Sequence, residues 1–333
     1  MHLEDIIAGV TLVSLVLYAL MGGADFGAGV WDLLARGPRA HRRRGVIADA
    51  IGPIWEANHV WLILVIVLLF TAWPAAFAAL MTALHIPLTA MLLGIVLRGS
   101  AFVFRKYDSR KDEVQRRWSR LFGMASVFTP FVQGLTLGAL ATGHIRVSNG
   151  IVTTGFFAGW LTPFALACGA FALVLFAFLA ATYLTVDASH DREVQDDFRR
   201  CALGSGMILL PVATLVLLTS RHDAPEMYRG LTTWWSPLLL AGTGLFAAGA
   251  LGALWRRHFR WARAAAIGEV TTILFGWCVA QYPHLIYPSH TVTNSAAPVA
   301  TLRLLAIALG LGGVVLLPSL YYLFHVFKGV EKE

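Results

Sequence analysis

Long apolar runs separated by short polar segments set the pattern of this chain. A helix that crosses a hydrocarbon core roughly 30 Å thick needs about 20 apolar residues at 1.5 Å of rise each. Runs of that length predict spans at residues 6–34, 54–72, 75–97, 121–142, 155–184, 201–218, 236–254, 264–281 and 299–324. The second and third runs meet at Trp73-Pro74 and are divided there, because proline suits the start of a helix and not its interior. The first run is longer than a crossing requires and contains Asp25, so it is expected to tilt or protrude. The longest polar stretches, 98–120 and 187–200, are loop-sized, and the second mixes acids and bases as a short amphipathic helix would. The expected fold is all-α: a polytopic membrane protein of about nine transmembrane helices, forming a single transmembrane domain over 1–333.

Composition agrees with this pattern. Only 14% of the residues are charged, against about 25% in soluble domains, so lipid is the natural solvent for most of the surface. The net charge of +7 would suit a nucleic-acid binder only if it formed a basic soluble face. Here the basic residues fall in short clusters between apolar runs, and no nucleic-acid partner is expected. With the N-terminus outside, 22 Lys and Arg lie in inner segments and 4 in outer ones, so the positive-inside rule places the C-terminus in the cytoplasm. Tryptophans follow the same layout as an interfacial belt, with Trp73, Trp160, Trp234 and Trp235 at outer ends and Trp31, Trp118, Trp255 and Trp261 at inner ends. The opening MHLEDIIAGV has acids but no Lys or Arg, so the first run is expected to be a retained helix and not a secretory signal. Cys168, Cys201 and Cys278 show neither CxxC spacing nor an even count and read as small apolar packing residues.

Ionisable groups inside a membrane cost several kcal/mol, so each needs an explanation. Asp25 stands in LMGGADFGAGVWD among Gly22, Gly23, Gly27 and Gly29. Gly23 and Gly27 have the small-xxx-small spacing of a close helix contact, which makes Asp25 either a proton relay or a hydrogen-bond acceptor at that contact. The densest polar cluster is IGPIWEANHVWLI, residues 51–63, in which Pro53 suits a helix start. Glu56, Asn58 and His59 follow within the first turns, flanked by Trp55 and Trp61, and Glu56 and His59 are spaced to share one face. Glu56 and Asp25 are expected in the same cytoplasmic half, buried and sharing a hydrated path. His85, before Pro87, is expected in mid-span and hydrogen-bonded to a carbonyl, Gln133 is expected to serve backbone near Pro130, and the partner of Glu269 is not readable. No P-loop, GxGxxG, HExxH or CxxCH motif is present.

The motifs Gly23-Ala-Asp-Phe-Gly27, Ile51-Gly-Pro-Ile-Trp-Glu-Ala-Asn-His-Val-Trp61 and Leu97-Arg-Gly-Ser-Ala-Phe-Val-Phe-Arg105 occur in the order seen in subunit II of cytochrome bd-type quinol oxidases, which the chain resembles over nearly its whole length. The outer segment from Tyr282-Pro283 through Pro288-Ser289 to Asn294 is similar too. The resemblance implies two four-helix bundles plus one peripheral helix, in the cytoplasmic membrane of a bacterium or archaeon. It implies a heterodimer with subunit I, which carries the haem b and haem d groups and oxidises quinol while dioxygen is reduced to water. No cofactor is expected in this chain itself, although the resemblance allows a structural quinone and a small single-helix third subunit. It assigns Glu56 to a proton path from the cytoplasm, and the residue pattern adds Asp25 in support, with Asn58, His59, Trp55 and Trp61 around them. A proton-coupled secondary transporter is the competing class, and a scaffold whose acids serve only helix packing is a third.

Overall fold

The computed structural model describes residues 2–52, 55–107 and 112–329. Its helices are α1 (Leu3–Leu34), α2 (Ala40–Ile51), α3 (Trp55–Asn58), α4 (Val60–Ala72), α5 (Pro74–Ala83), α6 (His85–Tyr107) and α7 (Asp112–Ala141). They continue with α8 (Pro163–Asp187), α9 (Arg192–Asp223), α10 (Pro225–Leu231), α11 (Ser236–Trp255), α12 (Phe259–Gln281) and α13 (Val299–Gly329). Two small antiparallel hairpins join them: β1 (Val147–Ser148) with β2 (Ile151–Val152), and β3 (His284–Ile286) with β4 (His290–Thr291). Among the described residues nine helical segments are long and apolar enough to cross a membrane, α3 and α4 together forming one of them.

The helices pack as α1, α4, α6 and α7 on one side and α8, α9, α11 and α12 on the other, with α1 and α7 meeting α8 at the seam and α13 peripheral against α1 and α4. Lipid supplies no hydrophobic force between helices, so close backbone approach has to hold the seam. At Gly27 a Cβ would fall 1.9 Å from the carbonyl oxygen of Phe176 in α8, so only glycine fits. At Gly134 of α7 a Cβ would fall 2.3 Å from the carbonyl oxygen of Cys168, on the same helix α8. One turn beyond Gly27, the indole of Trp31 donates to the carbonyl of Ala177 at 2.7 Å. The small-xxx-small contact read from Gly23 and Gly27 is therefore the α1–α8 contact.

Several boundaries differ from the hydropathy reading. The third span is not 75–97: α5 is a short helix, and the crossing helix α6 begins at His85. Apolar Pro74–Ala83 is continuous in composition with the first turns of α6, so hydropathy merges the two. His85 consequently lies at a helix start, exposed, with its Nδ1 2.9 Å from the carbonyl oxygen of Thr82. The stretch 98–120 is not a loop; α6 carries Arg98 and Arg105 inside it, and residues 108–111 lie outside the described part. The fifth span starts at Pro163 behind the N-cap Thr162, whose hydroxyl accepts from the amide of Ala165. The polar stretch 187–200 enters α9 at Arg192, continuous with the next span and capped by the Asp191 carboxylate. Gln133 does not serve backbone near Pro130; its amide donates to the Tyr18 hydroxyl at 2.5 Å.

Two polar layers close the bundle ends. On one, Arg39 pairs with Asp197 at 2.8 Å, Arg42 with Asp191 at 3.0 Å and with Glu193, and Arg257 with Asp196 at 2.8 Å, tying the start of α2 and the α11–α12 turn to the first turns of α9. Asp197 and the neighbouring acids hold the Arg39 guanidinium above its ordinary value, so it stays charged at every working pH. On the other, the β3–β4 loop is stapled by Asn294, whose Oδ1 accepts from the Thr291 amide at 2.7 Å and whose Nδ2 donates to the Ser289 carbonyl at 3.2 Å. The Trp73 indole donates to the Val292 carbonyl at 2.9 Å. Trp73 is fully buried there and is not part of an interfacial belt, whereas Trp234, Trp255 and Trp261 are exposed.

Candidate functional site

The polar interior is built where α1, the α3–α4 junction, α6 and α7 converge. Glycines around Asp25 bring α1 against α8, which turns the Asp25 carboxylate away from lipid and leaves it 5% exposed. Asn58, the last residue of α3, has no exposed surface, and its amide donates to Asp25 Oδ2 at 2.5 Å. From α6, Arg98 is 2% exposed and donates to the Asp25 backbone carbonyl at 3.0 Å and to Ser126 Oγ of α7 at 3.2 Å. Its guanidinium lies over the rings of Phe26 and Phe122, 4.7 and 5.1 Å from their centroids. Buried charge is tolerated when a partner charge, hydrogen bonds and aromatic faces replace water, and Arg98 has all three. Further along α1, Asp32 pairs with Arg105 at 3.0 Å, and Arg44 donates to the carbonyl of Ala35 at 3.0 Å at the helix end.

Beside this cluster a cleft of about 300 Å³ runs between α1, α2, α8 and α12. Asp25 and Asn58 line its wall, and Tyr183, Asp187 and Arg263 line it near helix ends. Arg263 stands 4.0 Å from Asp187 and stacks over Tyr183 at 4.5 Å from the ring centroid.

The structure brings Asp25 and Asn58 together and separates Glu56 from both. Glu56 is exposed on this chain, not buried, because in a helical turn it points about 160° away from Asn58. His59 is a turn residue between α3 and α4, partly buried, with its ring set edge-on to Tyr18 and Phe26 and centroids 6.1 and 5.9 Å away. Trp55 packs against Phe102 of α6, and Trp61 is 6% exposed in the core; Pro53 lies outside the described residues. Glu269 is buried in α12 at 3% exposure, and its Oε2 has no hydrogen-bond partner among the described residues.

Sequence reasoning counted Arg98 as an ordinary loop cation and passed over Tyr18, Ser126 and the Asp187–Arg263 pair. A signal for Arg98 existed: Ala101-Phe-Val-Phe104 resumes the apolar run behind it, which marks a cation inside a helix. Nothing in one sequence pairs Asp187 with Arg263, because the pair joins the end of α8 to the start of α12. Among the described residues no group of three or more His, Cys, Asp or Glu side chains is placed to hold a metal ion.

Comparison with known proteins places this architecture. A putative cytochrome bd menaquinol oxidase subunit II of Bacillus subtilis is 26% identical over 93% of this chain and 91% of its own length. The cytochrome bd-I ubiquinol oxidase subunit 2 of Escherichia coli is 29% identical over 52% of this chain and 45% of its own. In three dimensions, a chain of the bd oxidase from Geobacillus thermodenitrificans superposes with a TM-score of 0.82 at 22% identity, covering 98% of this chain and 99% of that one. These relatives are subunits of a membrane oxidoreductase, which sets the transporter reading aside. The family model for cytochrome bd terminal oxidase subunit II matches residues 3–327, nearly the whole length, and the chain belongs to that family.

Proposed function

We propose that this chain is the non-haem subunit II of a terminal oxidase in the cytoplasmic membrane of a bacterium or archaeon, and that it supplies protons to the reaction. It pairs with a subunit I that carries the b- and d-type haems and oxidises quinol. Those haems would supply the electron chemistry of dioxygen reduction, which consumes one proton for each electron. The observation that carries the proton role is the buried Asp25–Asn58 hydrogen bond in the wall of the 300 Å³ cleft. With the N-terminus outside, as the basic residues favour, the Asp187–Arg263 end of that cleft faces the cytoplasm.

Glu56 takes the other side of the same junction. Glu56, Ile63, Val67 and Phe70 are all exposed and recur at helical spacing on one stripe. A carboxylate on a stripe that otherwise suits lipid is costly, so this stripe is the one we set against the partner subunit. In this arrangement Asp25 receives protons from the cleft, and Glu56 passes them across the subunit contact.

The test uses the complex purified through its haem-bearing partner. Asp25→Asn and Glu56→Gln are expected to retain haem content while quinol-driven oxygen consumption and proton uptake fall together. Wild-type turnover in both well-assembled variants would leave the two acids with structural roles alone.

A further inference from the structure

Among the described residues, the buried polar atoms without a hydrogen-bond partner include Asn58 Oδ1, His59 Nε2, Trp61 Nε1 and Gln133 Oε1. Three of them are linked through Asp25 and Tyr18. Asn58 holds Asp25, His59 is the next residue and touches the Tyr18 ring edge, and Gln133 donates to the Tyr18 hydroxyl. The set includes acceptors on both α7 and the α3–α4 junction, together with an indole donor and the Tyr18 hydroxyl hydrogen. More than nine in ten buried polar groups find a partner in protein or ordered water, because an orphan keeps the full cost of its lost hydration. Donors and acceptors concentrated in this way are what internal water satisfies.

The tautomer of His59 is fixed by its surroundings. Its Nδ1 lies 2.9 Å from the Trp55 carbonyl oxygen, which can only accept, so Nδ1 carries the hydrogen. Nε2 is left as a buried basic lone pair. We infer that ordered water bridges His59 Nε2, the Tyr18 hydroxyl and Gln133 Oε1, and that His59 is a proton-accepting group on a hydrated seam leading from Asp25 between α1, α4 and α7. The seam rests on the proton role proposed above and extends it past Asp25 toward the middle of the bundle. Its step is a proton transfer alone: Nε2 gains a hydrogen from the bridging water on the Asp25 side, which is reprotonated from that side, and the imidazolium then gives its Nε2 hydrogen to the water on the Tyr18–Gln133 side. The charged groups around His59 are Asp25 on α1, Arg98 on α6 and Glu56 on its own segment, with the Tyr18 phenol on α1.

Two measurements on the assembled complex decide it. The first is a structure at a resolution that shows water. Density within hydrogen-bond distance of both His59 Nε2 and Gln133 Oε1 is expected, and a dry apolar contact there overturns the inference. The second is proton uptake in His59→Phe, His59→Gln and Gln133→Leu, each checked for normal haem content. His59→Phe is expected to slow uptake on the order of 10-fold to 100-fold, as loss of a positioned proton acceptor does. His59→Gln and Gln133→Leu are expected to retain more, the first keeping a polar side chain and the second keeping the base. If Asp25→Asn slows uptake while all three variants match wild type, the seam is refuted and the proton role stands. If Asp25→Asn and Glu56→Gln both match wild type, the proton role fails and takes the seam with it.

Discussion

Asn58 donates to Asp25 Oδ2 at 2.5 Å, although the two residues come from different helices and the acid at position 56 is closer in sequence to Asn58. The pair couples the polar GPIWEANHVW motif to the glycine-rich turn of α1, and Arg98 locks the same spot from α6. Each partner therefore has a separable role, which substitution can expose.

Asp25→Asn keeps the shape of the side chain and removes its charge. Turnover of the assembled oxidase is expected to fall on the order of 10²-fold, with haem spectra unchanged. Oxygen consumption and proton uptake measured on the same preparation check it, and uptake that stays coupled at the wild-type rate contradicts it.

Removing the Asn58 donor acts on stability first. Asn58→Leu takes one hydrogen bond from a buried carboxylate, at a cost of about 1–3 kcal/mol. A lower unfolding temperature of the detergent-solubilised complex is the expected outcome. Asn58→Asp would place a second acid against Asp25 and is expected to be worse than Asn58→Leu.

Arg98 is expected to be intolerant of change. Arg98→Met removes the buried hydrogen bonds to the Asp25 carbonyl and to Ser126, at a cost of about 1–3 kcal/mol. Arg98→Lys should not restore assembly, because an ammonium cannot lie flat over Phe26 and Phe122 while bonding Ser126 and the Asp25 carbonyl. Yield of haem-loaded complex is the readout; normal yield from Arg98→Lys would show that charge alone suffices.

Gly27→Val tests the seam between the bundles. Its side chain would occupy the position of the Phe176 carbonyl, so α1 and α8 must separate, at a cost of about 1–3 kcal/mol or more. Poor assembly is expected, whereas Gly242→Ala, on open space in α11, should be silent.

Membrane orientation has its own check. In a background without Cys168, Cys201 and Cys278, a cysteine at Asn294 is expected to react with an impermeant thiol reagent from outside, and one at His190 only after the membrane is opened. The reverse pattern would put the Asp187–Arg263 end of the cleft on the outer side and remove it as a cytoplasmic inlet.

Hydropathy by itself determined the membrane class and the nine helices that, among the described residues, are long and apolar enough to cross, because the thickness of a bilayer imposes one length on every span. Local chemistry likewise announced a close helix contact at Gly23 and Gly27, while the structure names α8 as the helix that makes it. Boundaries near α5 and α6 were not legible, since Pro74–Ala83 is as apolar as a crossing helix and only packing ends it at Ala83. Motif spacing marked Asp25, Glu56, Asn58 and His59 as a group but not which of them meet. A difference of two residues turns a helical side chain by about 200°, so Asn58 faces Asp25 and Glu56 faces outward. Tyr18, and the partners of Arg98, Gln133 and Arg263, entered the picture only through tertiary structure, because those partners lie on other helices and a single sequence carries no record of which helices pack together.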